Sequence, residues 1–236
     1  TASVTRNFTI QSTGTSVLNI SSITSSNPGE YAISGVPATV GAGSSATFTV
    51  SFVGSGSGVR VATVNIANND CDEGTYDFAI NATPQPIIGV KGNSITIANN
   101  DVSPSTTDGT SFGTRGKCQS PVQIFTIENT GNADLVIAAN AIASSNNGRF
   151  TIGGNASIIT ITPGNSATFT VTLNPATTGS PVSTITIPSN DPNTSTFTFA
   201  MDATIVDTYT FTGVGNWDDD SKWTPHSPGL SRSHKK

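Results

Sequence analysis

The hexapeptide SATFTV stands at residues 45–50 and again at residues 166–171. Thr and Ser alternate with Ala, Phe and Val, so one face is apolar and the other polar. That period of two over six residues is the signature of a half-buried β-strand. The blocks around it repeat in the same order. FTIQSTG at 8–14 answers FTIENTG at 125–131, YAISG at 31–35 answers FTIGG at 150–154, and FAINAT at 78–83 answers FAMDAT at 199–204. The offset grows only from 117 to 121 residues along these pairs. Order and spacing together define a repeated unit of about 120 residues, the size of one ordinary domain.

Within each copy the alternation recurs in short runs bounded by Gly, Pro, Asn and Ser. The first copy reads as strands near 3–11, 16–22, 30–34, 37–40, 45–53, 59–67 and 75–83. The second reads as strands near 93–98, 121–128, 134–138, 149–152, 157–161, 166–173, 181–187 and 195–204. Seven or so short strands per hundred residues is the pattern of a β-sandwich. The fold class expected is all-β, with two tandem sandwiches. Their spans are 1–84, an incomplete sandwich, and 85–206, a complete one. Residues 207–225 begin a truncated third unit and 226–236 form a disordered basic tail. The second copy has a leading stretch, residues 87–116, with no equivalent in the first. The first sandwich therefore lacks its N-terminal strand and exposes an edge, to be filled by upstream sequence or by a donated strand. The chain opens at Thr1 already inside a strand-like run, as a cleaved or truncated product would.

Composition narrows function. Charged residues make up 11% of the chain, against about 25% in an average globular protein, and Ser, Thr, Asn and Gly take their place. Residues 1–220 hold all fifteen acids and only six bases, while the last sixteen residues hold four bases and no acid. An acidic body repels nucleic-acid phosphates, so no nucleic-acid partner is expected. No apolar run reaches 18 residues, so no membrane insertion is expected. The only histidines, His226 and His234, lie in the tail, and no nucleophile–base constellation precedes them. No enzyme activity is expected.

One segment invites chemistry. Residues 64–78 read VNIANNDCDEGTYDF, with three carboxylates, two amides and a thiol in six residues. Asp70, Asp72 and Glu73 are candidate calcium ligands, because Ca²⁺ takes hard carboxylate and amide oxygens; no other cofactor is indicated. The competing reading is an Asx-turn closing a strand corner. Its counterpart, SNDP at 189–192, keeps Asn and Asp but no further acid, so a turn explains both copies and a metal only one. The similar IANND at 97–101 lies in the leading stretch and is not a repeat of 66–70. Cys71 and Cys118 are disulfide candidates. An even count in a secreted chain suggests a bridge, but the two lie at opposite poles of their units, which leaves an intrachain bridge, a bridge to a neighbouring unit and free thiols all open. Trp217 and Trp223 are candidates for stacking on a sugar ring, or else core residues of the third unit. Sequons at Asn7, Asn19, Asn81, Asn155 and Asn193 arise easily in so Asn- and Thr-rich a chain.

Three blocks carry a resemblance: FTIENTGNADLVI (125–137), ITPGNSATFTVTLNPATTG (161–179) and ITIPSNDPNTSTFTFAMDAT (185–204). They resemble the abnormal-spindle/hydin-like repeats of bacterial surface proteins, including the choice-of-anchor D chains of Bacteroidetes. TFTGVGNWDDDSKWTP (210–225) is similar to the start of another repeat found with them. The resemblance implies immunoglobulin-like, PapD/hydin-like sandwiches in a piece of a longer secreted or cell-surface protein. It implies a structural or adhesive spacer whose partners are neighbouring repeats, and further surface glycans or proteins. The alternatives are a glycan- or calcium-dependent binding module, or a fibre subunit that accepts a strand such as TYTFTG (208–213).

Overall fold

The computed structural model describes residues 4–117, 119–207, 210–211 and 223–224. They contain strands, turns and bends but no helix. The first unit has β1 (Val4–Gln11), β2 (Leu18–Ser25), β3 (Tyr31–Ser34), β4 (Thr39–Val40), β5 (Ser45–Phe52), β6 (Arg60–Asn68) and β7 (Thr75–Ala82). They form two sheets, ordered β1-β5-β3 and β4-β2-β6-β7. The alternation of SATFTV does what its period demands: Phe48, Val50 and Phe52 point into the core, and the residues between them face outward. From the other sheet Val64 and Ile66 meet them in one hydrophobic cluster.

The second unit starts with three strands that have no counterpart in the first: β8 (Ile88–Gly92), β9 (Ile95–Ile97) and β10 (Ser111–Gly116). It continues with β11 (Val122–Asn129), β12 (Leu135–Ile137), β13 (Ala143–Ser144), β14 (Phe150–Gly153), β15 (Ile159–Ile161), β16 (Ser166–Leu173), β17 (Val182–Pro188) and β18 (Thr196–Val206). Its sheets run β14-β16-β11-β8-β9 and β10-β18-β17-β13, with β12-β15 as a small pair. The expected all-β sandwich holds for both units. Two strands of the leading stretch, β8 and β10, lie outside the runs that alternation picks out. Further on, β19 (Thr210–Phe211) pairs antiparallel with β20 (Trp223–Thr224).

The two units share their central strand pairings. Phe8 pairs with Phe48 across β1 and β5, and Phe125 with Phe169 across β11 and β16. The rings stack with centroids 5.5 Å apart in both. The third member of each triad, Phe78 or Phe199, comes from the opposite sheet at 5.0 and 5.1 Å. These triads pin sheet to sheet across the sandwich.

The leading stretch wraps the open side of the second sandwich. Strand β8 runs antiparallel to β11, with Val90 opposite Ile127 and Gly92 opposite Phe125. A two-residue turn, Asn93 (φ 50°) and Ser94 (φ 66°), reverses the chain into β9; left-handed φ at both positions is the tight hairpin geometry. The chain then crosses to the other sheet. Asn100 N–H donates to the Thr198 carbonyl at 2.8 Å, and Ala200 N–H to that of Asp101 at 2.8 Å. Strand β10 continues this contact, lying parallel to β18. Val90, Ile97 and Phe112 enter the core on the way.

Candidate functional site

The acidic corner between β6 and β7 is built by amides. Asn68 Oδ1 accepts the Asp70 N–H at 2.7 Å, and its Nδ2 donates to the Glu73 carbonyl at 3.1 Å. The Asn68 N–H closes the corner onto the Gly74 carbonyl at 3.0 Å. Asn69 reaches across to β2: its Oδ1 accepts the Asn19 N–H at 2.7 Å and its Nδ2 donates to the Val17 carbonyl. These are Asx-turn and strand-pinning contacts. The donor atoms of Asp70, Cys71 and Asp72 lie within 4.8 Å of one another, all exposed; Glu73, also exposed, is not in that group. Exposed carboxylates at such spacing are ordinary at a solvated corner.

The second unit has the matching corner, between β17 and β18. Asn190 Oδ1 accepts the Val136 N–H at 2.7 Å and Asn190 Nδ2 donates to the Asp134 carbonyl at 3.0 Å, repeating the contacts of Asn69 at an offset of 117 in β12. The next residue differs in its surroundings. Asp191 is 2% exposed. Its Oδ1 accepts the N–H groups of Asn193 (2.9 Å) and Thr194 (3.1 Å), and its Oδ2 accepts the N–H of Ile88 at 2.9 Å. Ile88 is the first residue of β8. One buried carboxylate thus fixes where the leading strand enters. In the first unit the equivalent Asp70 is exposed, and its carboxylate accepts no hydrogen bond among the described residues.

The rest of that edge is hollow, with a mixed polar and apolar lining. A cavity of about 540 Å³ is lined by Phe8, Ile10, Leu18, Phe48, Phe78 and Asp70. A second, of about 460 Å³, lies towards the junction between the units: it is lined by Phe8, Tyr31, Phe52 and Ile80 of the first unit and by Ile87 and Asn132. Phe8 belongs to both, so they are neighbouring parts of one opening between β1 and β7. Phe8, Ile10, Phe78, Ile80 and Ala82 are only half-buried, whereas Phe125, Ile127, Phe199, Met201 and Ala203 are buried. Tyr31, at the position of Phe150, donates its hydroxyl to the Arg60 carbonyl at 2.9 Å. Burial, and then the charge of Glu30, pushes its pKa above the ordinary tyrosine value.

The junction between the units is polar and specific. Asn132, 6% exposed, donates Nδ2 to the Gly54 carbonyl at 2.8 Å and accepts the Gln85 N–H on Oδ1 at 3.0 Å. Its backbone N–H donates to the Gln85 carbonyl at 3.0 Å, and its carbonyl accepts the Gly56 N–H at 3.1 Å. Gly131 lies against the linker so closely that a Cβ there would collide with the Gln85 carbonyl oxygen.

Other expected site residues are placed as follows. Cys71 is exposed in the acidic corner. Cys118 and Trp217 lie outside the described residues, as do the tail from 225 and most of the strand TYTFTG. Trp223 opens β20, where its backbone pairs with Phe211. Asn99, Asn100 and Asp101 serve strand pairing with β18: Asn99 Oδ1 accepts the Thr198 N–H, and the Thr198 hydroxyl donates to Asn100 Oδ1. Sequence reasoning missed Asn132 and the separate roles of Asp70 and Asp191. The one available signal was the Asn-Asp pair shared by both corners.

Residues 93–203 match the family model described as HYDIN/CFA65/VesB-like, Ig-like domain. The second unit is thus similar to a hydin-like, immunoglobulin-like domain over most of its length. Similar solved structures include a protein of unknown function from Porphyromonas gingivalis W83, at 12% identity over 86% of this chain and 91% of that one, TM-score 0.38. Others are SSP-19, an MSP-domain protein like family member in Caenorhabditis elegans (16% identity, 41% and 96% covered, TM-score 0.31), and the ASH/PapD-like domain 7 of human CEP192 (12%, 49% and 96%, 0.32). No curated protein matches the sequence.

Proposed function

We propose that this chain is a non-catalytic spacer: two immunoglobulin-like sandwiches held at a set distance and angle within a larger, surface-displayed bacterial protein. The observation that carries this is the Asn132 junction. One buried amide bonds both the first unit, at Gly54, and the linker, at Gln85. Buried polar groups are strongly directional, since leaving one unpaired costs about 1–3 kcal/mol. Four hydrogen bonds converging on one residue therefore resist bending as well as separation. Pro84 and Pro86, both buried, restrict the linker backbone further. A weakly charged Ser/Thr/Asn surface keeps such a spacer soluble over a range of salt. The surface setting and the adhesive role rest on the resemblance of the repeat blocks.

The test is rotational diffusion by NMR relaxation on the whole chain. A spacer tumbles with one diffusion tensor for both units, and Asn132→Ala separates the two tensors. Independent tumbling of the units in the unaltered chain would overturn the proposal. A glycan array and a calcium melting-shift measurement address the binding alternative, which a spacer answers with no response in either.

A further inference from the structure

We infer that the outer face of the second unit holds a docking pocket for a lysine side chain of a partner polypeptide, with Asp202 as the carboxylate that receives its ammonium group. The inference goes beyond the spacer reading and rests on different residues. It starts from a charge that the fold leaves without a partner.

Strand β18 alternates, and Met201 and Ala203 face the core. Asp202 between them therefore faces outward, opposite Val182 of β17 and beside Ser111 of β10. Its Oδ1 is buried and accepts no hydrogen bond, and no ion pair among the described residues reaches the carboxylate. The segment that crosses from β9 to β10 and the turn after β13 frame a shallow cavity here, of about 320 Å³. Its lining includes Val102, Pro104, Ser145, Val182, Ala200 and Asp202, and Asp202 is the one charged residue in it. Val102 is 82% exposed and Val182 67%, so open apolar rims flank a half-buried negative charge. Other polar side chains of the lining are engaged: Ser145 Oγ accepts the Thr184 N–H at 2.8 Å, and the Ser183 and Ser144 hydroxyls bond each other at 2.8 Å. A half-buried charge without a partner is costly, because water is partly stripped from it and nothing replaces that water.

The chemistry selects the occupant. A carboxylate takes a cation, and flanking valines and a proline take methylene groups. A lysine side chain carries both: an apolar stem, and a compact ammonium that stays hydrated at an open mouth. An arginine fork is a poorer match, because it brings a planar set of several donors to a lining with one unengaged carboxylate. The cavity is close to the lower bound of ligand pockets, about 300 Å³, which suits one side chain rather than an oligosaccharide. One carboxylate is too few for calcium, which takes about six to eight oxygens. The first unit supplies the comparison. Val61, 70% exposed, pairs with Asn81 as Val182 pairs with Asp202, so the same place is uncharged there. The sandwich accepts either residue, and the charge at Asp202 is not a requirement of the fold.

The experiment titrates the whole isotopically labelled chain with the tripeptide acetyl-Ser-Lys-Ser-amide and reads the NMR shifts of Val102, Val182, Ala200 and Asp202. The same tripeptide with norleucine at its centre keeps the stem without the charge, and the one with arginine carries the other cation. The lysine tripeptide should bind about fivefold more tightly than the norleucine one, the scale of one partly exposed ion pair. Asp202→Asn, which puts the first unit's residue into the second, should abolish that advantage and leave the resonances of both cores in place. Exposed Asp72 and Asp77 of the first unit report attraction to bare charge, and should shift less than Asp202. Absence of shifts at the four residues overturns the inference. So do equal affinities for the lysine and norleucine tripeptides, an arginine tripeptide that binds as tightly as the lysine one, and a lysine advantage that survives Asp202→Asn. Shifts at Asp72 or Asp77 equal to those at Asp202 overturn it as well, and n-butylamine binding as tightly as the tripeptide overturns the assignment to a polypeptide.

Discussion

The two sandwiches share a core and differ at an edge. Both stack the same Phe triad, both pin the second sheet through an Asn at the same corner, and both bury the SATFTV face. Among the described residues, leading strands cover β11 and β18 of the second and have no counterpart on the first. The consequence is graded burial of equivalent residues. Phe125 is fully buried where Phe8 is half-exposed, and Asp191 is fully bonded where Asp70 is free. Sheet pairing and the central triad therefore do not depend on the leading strands, whereas closure of the open side does.

The largest effect expected is at Phe112. Phe112→Ala empties the place where the leading stretch meets the core, at a cost of about 3–5 kcal/mol to the second unit. It gives that unit an opening like the first unit's. Phe8→Ala, at a position already half-exposed, costs the first unit roughly half as much. Guanidinium unfolding followed by a reporter in each unit measures both. Equal losses would mean that the leading strands do not govern burial. Next in size is the pair of aspartates. Asp191→Ala strands the buried N–H of Ile88, at about 1–3 kcal/mol, with smaller additions from the N–H groups of exposed Asn193 and half-buried Thr194, which turn to water. Asp70→Ala removes no bond and falls within about 0.5 kcal/mol, as for an ordinary surface change. Gly131→Ala is smaller than Asp191→Ala: it pushes the linker off the second unit for about 1–3 kcal/mol of overpacking, read as separate diffusion tensors for the two units.

Period-two alternation made most of this fold legible, because β5 and β6 each have one wet and one dry face, and β1 and β7 alternate exposed with half-buried residues along their lengths. The leading stretch was less so. β8 reads IGVKG, short and with two glycines, and its partner is fixed by a carboxylate 103 residues away. β10 pairs in parallel with β18, and a parallel pairing leaves no turn signal between its strands. At the corner, the Asn-Asp pair was visible in both copies, and its turn role follows from local chemistry. That Asp191 also holds Ile88 could not follow from local chemistry, since nothing near residue 191 reports what docks there. Asn132 was illegible for the same reason: its partners, Gly54 and Gln85, are long-range.

The smallest prediction uses a place where the copies differ by one oxygen. Tyr31 in the first unit stands where Phe150 stands in the second, both buried. Burial, followed by the neighbouring charge of Glu30, raises the Tyr31 pKa in the folded state. The unfolded chain ionises first, near the ordinary tyrosine pKa of about 10. Stability from this group is therefore intact below about pH 10 and is lost as pH climbs through the folded-state pKa. The first unit should lose thermal stability between neutral pH and strongly alkaline solution in a way that Tyr31→Phe removes. The second unit has no tyrosine at this position, so Tyr31→Phe should leave its own alkaline behaviour unchanged. Should Tyr31→Phe leave the first unit's alkaline slope intact, the cause is not this buried hydroxyl, and the difference between the units at this position is one of packing alone.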